Sequence, residues 1–513
     1  MLKHNLHLRL AEIALIFAVF AIQGAWPVPD VNEPYYLGKA IHFWNRDWGA
    51  GDFFLESADT HAVFYFTFGW VSLRLSPAGL AWCGRLLTWG LLAWSWQRMS
   101  WVIVPRRWYA LLSGGVFACL MERCHMAGEW VIGGIEAKGF AYVLVFLGLE
   151  SMVRGRWNRT WLAFGGASLF HVLVGGWSAV AAAFAWWSLG RERPALRSMG
   201  WGLLGGLILS LPALVPSLAL NWGTDAETIR RAHEIYVYHR LAHHLVFMRF
   251  PLEFILRFQL MATVFAALCL AAGDRPGERR LSAWVLGSLA IAVVGVLLSL
   301  AGEASPVWAA GLLRFYWFRL ADVAVPLGVA LLGLSWASRL SESGLPLGKW
   351  LGGAAAAIIG LHLASYAIDQ PWNGPPRGDK RVQNPEWAEA CAWVDESSEI
   401  PLHVRFLTPM ESQTFRWRTQ RAEVVARKDI PQDARSIVEW WRRMEEIYGT
   451  GSDDPENQWH ASLTELGAER LRQLGAKYDA KYLLTEADPP LPLTRLYANR
   501  AYAVYQLTDV PSP

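Results

Sequence analysis

Apolar runs long enough to cross a bilayer recur from the N-terminus to about residue 367. A chain immersed in lipid must satisfy its backbone polar groups internally, so each such run predicts a helix. The runs lie near 8–26, 80–98, 108–121, 138–153, 160–174, 175–190, 199–220, 251–272, 281–301, 319–336 and 350–367. Composition agrees: of 513 residues 53% are hydrophobic, only 18% are charged, and 30 are tryptophan. A soluble chain carries about a quarter charged residues. A net charge of +3 without a basic block excludes a nucleic-acid binder. The five cysteines, Cys83, Cys119, Cys124, Cys269 and Cys391, show no metal-ligand spacing and no disulfide framework.

Arginine and lysine set the expected orientation. The loops with Arg98/Arg106/Arg107, Arg154/Arg156/Arg159, Arg191/Arg193/Arg197, Arg275/Arg279/Arg280 and Arg339/Lys349 must share one side with Lys3 and Arg9. Residues 61–75 are apolar but interrupted by Arg74, and a full span there would flip every later loop. They read as interfacial or re-entrant. The expectation is a mostly α, polytopic transmembrane bundle of about 11 spans over residues 1–369. Its N-terminus would be cytoplasmic. Beyond 370 the apolar runs stop and helical and strand patterns alternate, which predicts a small exported α/β domain over 370–513, joined by a linker at 371–380.

Four polar segments then fall on the outer side. The first, 27–60, holds Asp30, Glu33, Asp47, Asp52, Glu56 and Asp59. Within it Leu37, Ile41, Trp44 and Trp48 recur at helical spacing opposite Lys39, His42 and Arg46, the pattern of an amphipathic helix lying on the membrane. The second, 122–137, gathers Glu122, Arg123, His125, Glu129 and Glu136. The third, 221–250, holds His239, Arg240, His243, His244 and Arg249, and the fourth, 302–322, holds Arg314 and Arg319. Outer cations oppose the positive-inside trend, and an anionic ligand such as phosphate gives them a reason. The plainer reading is headgroup anchoring and snorkelling. His239 and His243 stand at i, i+4, so one helix face could offer both to a divalent metal, with Asp30 or Glu33 as a third ligand. His171, inside an apolar run, reads as a satisfied core histidine.

The motif Asp30-Val-Asn-Glu33-Pro-Tyr-Tyr36 directly after the first span, followed by an interfacial helix, many spans and an exported tail, resembles the layout of GT-C glycosyltransferases. The C-terminal features Trp387, Trp393, Thr408-Pro409 and Tyr502–Tyr505 also look like tails of bacterial proteins of this type. The resemblance implies sugar transfer from a polyprenyl-phosphate or polyprenyl-diphosphate donor at the outer face of the membrane, and the excess of arginine over lysine, 39 to 8, with abundant Ala, Gly and Trp suggests a bacterial inner membrane. Asp30 and Glu33 would be the catalytic carboxylates, one of them the general base. Asp52, His239, Arg240, His243, His244, Arg249, Arg314 and Arg319 would contact substrate. The family often has adjacent Asp-Glu or Asp-x-Asp; the separation of Asp30 from Glu33 leaves the base open. The expected partners are a lipid-linked sugar donor and membrane lipids, with no nucleic acid and no nucleotide site, since no P-loop pattern occurs. The competing reading is a non-catalytic membrane protein, a lipid-carrier transporter or an assembly scaffold. A transporter predicts internal repeats and mid-membrane charges. The sequence has no visible repeat and gathers its charges at membrane edges. Acyl transfer centred on His171 or His244 has no supporting motif.

Overall fold

The computed structural model describes residues 6–271, 275–369, 374–379, 385–452, 454 and 456–507. The chain is mostly helical, with one small C-terminal sheet. Six of its described helices are long and apolar enough to cross a membrane: Leu6–Gly24, Leu196–Ala219, Leu252–Ala271, Pro276–Gly302, Arg319–Glu342 and Pro346–Ile368. Each of the other runs is also helical, as Pro77–Ile103, Tyr109–Arg123, Ala137–Val153, Trp157–Phe170 and Val172–Ser188. Pro77–Ile103 illustrates why local sequence suffices for an element. Ser76 caps it by accepting from Gly79 N, Pro77 occupies the first turn, and Val104 ends it ahead of Pro105. Its two longest buried polar side chains have partners elsewhere: Arg85 bonds Glu33, and Gln97 donates to Glu12 Oε2 at 3.0 Å.

Residues 61–75 form a seven-residue helix, Ala62–Phe68, and a five-residue 3₁₀ turn, Gly69–Leu73. At about 1.5–2.0 Å per residue that is roughly 20 Å, short of a hydrocarbon core. The amphipathic surface helix is corrected. It spans only Glu33–Trp44, ends at Asn45 before Trp48, and buries both of its faces. Leu37 and Ile41 are inside, and so are Lys39 and His42. Lys39 Nζ donates to Ser57 O at 2.7 Å, and His42 Nδ1 donates to Trp48 O at 2.9 Å. The polar face that seemed made for water is covered by the loop's own backbone.

In the C-terminal part the sheet order is β2 (Ala422–Glu423), β1 (Arg405–Leu407), β3 (Ala480–Glu486), β5 (Tyr502–Gln506), β4 (Thr494–Ala498). The β1–β2 and β1–β3 pairs are parallel, and β5 runs antiparallel to both β3 and β4. Alternation along β3 fills two cores. Leu483 packs with Trp440, Met444, Leu471 and Leu474 under helices Ala434–Tyr448 and Gly467–Tyr478. Tyr482 and Leu484 pack with Trp387, Cys391 and Phe415 under Glu386–Glu396 and Phe415–Thr419. The expected linker lies partly outside the described residues; of it, Arg377–Asp379 is a 3₁₀ turn seated on the first loop, with Gly378 N donating to Pro29 O at 3.1 Å.

The domain rests on the bundle through that loop. Arg405 Nη2 donates to Gly51 O at 2.6 Å, Gly49 N to Gln420 O at 3.0 Å, and Thr60 Oγ1 to Gln432 Oε1 at 2.8 Å. At the centre of the contact Arg416 meets Asp52 at 3.2 Å, Glu423 at 2.8 Å and Asp429 at 2.5 Å, all four side chains buried.

Candidate functional site: a cationic cavity beneath the C-terminal domain

The four polar segments and the C-terminal domain enclose one cavity of about 500 Å³. The first segment supplies Asn32, Tyr35 and Tyr36, with His61 just after it, and the second Glu129, Trp130 and Glu136. The third supplies His233, Tyr236, Arg240 and His244; the fourth, Arg314, Tyr316 and Arg319. Lys138 lines it from the first turn of Ala137–Val153, and the domain closes it with Lys428, Ile430 and Gln432. One wall is apolar: Val172 and Leu173 from one helix start, and Leu214, Leu218 and Leu220 from the end of Gly200–Ala219. That helix is largely exposed on its other faces, as Leu204, Leu207, Ile208 and Leu211 show.

Of the residues read from sequence, Arg240, His244, Arg314 and Arg319 line this cavity. Asp30, Glu33, Asp52, His239, His243 and Arg249 do not. Asp30 is fully buried and receives two bonds on each carboxylate oxygen: Val31 N and Arg377 Nε on Oδ1, Gly134 N and Arg377 Nη2 on Oδ2, all within 2.9 Å. Burial raises its carboxyl, and the Arg377 pair more than offsets this, holding it below the usual range. Glu33 is bonded in the same way. Arg85 Nε and Ile135 N reach Oε1, and Arg85 Nη2 and Asp30 N reach Oε2, within 3.1 Å. These two carboxylates tie the first loop to helix Pro77–Ile103, the second loop and the C-terminal part. Asp52 caps Phe53–Glu56 and belongs to the Arg416 cluster. His239 is exposed with its ring 4.8 Å from Trp441, Arg249 is exposed, and His243 packs at 4.1 Å on His244. The i, i+4 histidine face is broken by the π-helical turn Ile235–Arg240, which ends at Leu241. Among the described residues no three His, Cys, Asp or Glu groups are placed to hold a metal ion.

Sequence reasoning singled out Glu129 and Glu136 without assigning them a role, and it missed Lys138, Lys428 and His61. Lys138 lies 3.4 Å from both Glu129 and Glu136. Arg319 pairs with Glu129 at 2.8 Å, lies 3.8 Å over the Tyr316 ring and donates to His171 Nε2 at 3.2 Å. Glu136 accepts from Asn32 Nδ2 at 2.7 Å, and burial pushes its carboxyl up despite Lys138. His171 is buried and hydrogen-bonded at both ring nitrogens, as expected of a satisfied histidine, and it also lines the cavity: extended at φ −149°, it interrupts the apolar stretch and separates two helices. Burial and the adjacent His243 pull His244 down to about 3, so it is neutral; its Nδ1 donates to Ala127 O at 2.6 Å. Arg240 Nε donates to Arg427 O at 2.9 Å, and Arg314 bonds His233 Nε2. Lys428 has no hydrogen bond or ion pair among the described residues, and burial together with Arg240 pulls its amine down to about 8. Its sequence context, Arg-Lys-Asp between a strand and a helix, reads as an ordinary solvated charge run; only the tertiary placement turns it inward.

In comparisons with known proteins, a family described as a domain of unknown function, DUF6798, matches residues 385–447. That stretch runs from helix Glu386–Glu396 into helix Ala434–Tyr448 and contains Arg416 and Lys428. The chain matches no curated protein.

Proposed function

We propose that this chain is a membrane glycosyltransferase of the GT-C type, using a donor sugar linked through phosphate to a polyprenyl lipid. The observation that carries this reading is the composition of a single cavity, which is lined both by apolar residues at the end of the exposed Gly200–Ala219 helix and by Arg240, Arg314, Arg319, Lys138 and Lys428 with two carboxylates. An isoprenoid chain fits the wall, and cations aimed at one space fit a phosphate. Eleven spans, a cytoplasmic N-terminus and an exported C-terminal domain in a bacterial inner membrane belong to this reading, supported by the sidedness of the arginine loops.

The chemistry follows from the groups that face the cavity. An acceptor hydroxyl gives its proton to a carboxylate as its oxygen bonds the sugar's anomeric carbon. The bond from that carbon to the phosphate oxygen breaks, and its electron pair stays on the phosphate. Glu136 is the proton acceptor we assign. It lines the cavity, it has one hydrogen bond to an amide and a longer lysine contact, and burial makes it more basic than a solvated carboxylate. Asp30 and Glu33 have every lone-pair direction taken and serve to position the loop. The arginines and Lys428 hold the departing phosphate, where negative charge grows.

The test is transfer of labelled sugar from a polyprenyl-linked pool in membranes containing the full chain. Wild type should transfer, and Glu136→Gln should not. Absence of transfer with every lipid-linked donor supplied would leave the lipid-binding scaffold as the better reading.

A further inference from the structure

Charge pairing inside the cavity is uneven. Lys138 sits between Glu129 and Glu136, and Arg319 is bonded to Glu129, so two cations answer two carboxylates. Arg240, Arg314 and Lys428 have no carboxylate within ion-pair distance among the described residues. Arg240 bonds a backbone carbonyl and Arg314 a neutral imidazole, pulled down to about 4 by burial and by Arg314. Glu411, Asp429 and Glu136 act on Arg240 and Lys428 only through space, and three cations without a directly paired carboxylate in a shielded space are costly unless a ligand adds counter-charge.

Their spacing extends the argument. They come from three elements: the end of the Ile235–Arg240 turn, the residue after Pro306–Leu313, and the loop after β2. Tyr236 and Tyr316 line the same cavity, their hydroxyls 3.1 Å apart. Tyr236 lies in the field of Arg314, and Tyr316 in that of Arg240. Tyr316 is held at φ +55°, a left-handed conformation costly for a tyrosine, at a point where it also stacks on Arg319. Three unpaired cations from three elements thus line one cavity together with two tyrosine hydroxyls.

We propose that the group recognised here is a lipid-linked diphosphate, not a monophosphate. This rests on the glycosyltransferase reading and narrows its donor. A sugar joined through one phosphate carries a single negative charge there; joined through a diphosphate it carries two, and the diphosphate released by transfer carries up to three. Three unpaired cations match the charge of that leaving group. Lys428 places the C-terminal domain in the recognition of the second phosphate.

The measurement is binding to the full chain in detergent, read as a shift of its thermal unfolding midpoint across a ligand titration. The probes are farnesyl diphosphate, farnesyl monophosphate and inorganic pyrophosphate. Farnesyl diphosphate should bind about tenfold tighter than the monophosphate or more, and Lys428→Met and Arg240→Met should each shrink that ratio. Equal affinity for the two farnesyl probes in wild type would overturn the diphosphate assignment and leave the glycosyltransferase reading standing. Pyrophosphate binding as tightly as farnesyl diphosphate would overturn the lipid-borne part and point to a soluble diphosphate. No binding of any probe would overturn both. The wild-type comparison decides even if a variant fails to fold.

Discussion

Replacing Glu136 by Gln keeps the size of the side chain and its contact to Asn32 while removing its ability to take a proton. The expected result is a loss of sugar transfer on the order of 10²–10⁴-fold with unchanged amounts of protein in the membrane. Asp30→Asn and Glu33→Gln should act differently, through folding. Breaking one partner out of a buried ion pair costs about 3–5 kcal/mol, so both should lower the thermal midpoint before any kinetic effect is read. Lys428 offers a pH test. Its amine is pulled down to about 8 by burial and by Arg240, with Lys138 acting in the same sense and Glu136 and Asp429 opposing. A bound anion favours the protonated amine, so farnesyl diphosphate affinity should fall as pH rises through about 8, and Lys428→Arg should flatten that fall. At this scale the sequence was half legible. Cations in polar loops suggest an anion, and Arg240, Arg314 and Arg319 are legible that way, with the neutral His244 beside them. What spacing cannot disclose is who pairs with whom. Arg85 lies 52 positions from Glu33 and Arg377 lies 347 from Asp30, and those distant arginines decide that the two carboxylates hold the loop.

Helices were legible because each needs only a run of apolar residues and a stop signal, and every run folds as one. Their ends and partners were not. The break at His171 occurs inside sequence that is apolar on both sides, and nothing local favours it over the expected boundary near residue 174. Phe415–Thr419 and β4 were missed for a related reason: the first is five residues long, and β4 is an edge strand that buries none of its residues fully. Helices Trp157–Phe170 and Gly200–Ala219 meet backbone to backbone through glycine. A Cβ on Gly165 would lie 2.1 Å from Gly206 O, and one on Gly206 2.5 Å from Trp161 O. Such approaches are how helices associate where lipid is as apolar as leucine. Gly165→Ala should therefore lower stability by about 1–3 kcal/mol, read as a lower thermal midpoint in detergent. Because Gly200–Ala219 also carries the apolar wall, the same variant should weaken farnesyl diphosphate binding.

For the molecule as a whole, the topology has a direct check. Reporter fusions after residues 78 and 380 should both report the outer side. The docking of the C-terminal domain should respond to pH. Arg416 faces three buried carboxylates, and burial pushes Glu423 up to about 8 from an ordinary value of 4.5. A carboxyl raised in the folded state stabilises it fully below about 4.5 and loses that contribution as pH climbs to about 8. His233 and His244, pulled down by burial, act in the opposite sense below 6.5, so the comparison with Glu423→Gln isolates the effect. Resistance of the domain junction to protease should fall from pH 5 to pH 8 more steeply in wild type than in that variant. That long apolar helices give way to a small C-terminal sheet was legible from composition. That the second part forms the roof of the cavity was not, since it depends on contacts between residues hundreds of positions apart.

Those long separations have a consequence during synthesis. Glu33 meets Arg85 early in the chain, whereas Asp30 waits for Arg377, 347 residues later, and the cavity waits longer still for Lys428. At about 5–20 residues per second the ribosome needs roughly 20–70 s to cover that gap. Throughout that time the nascent chain holds a half-built chamber, open above and short of its last cations. A chain released before residue 428 therefore lacks the residues with which the C-terminal domain closes this cavity.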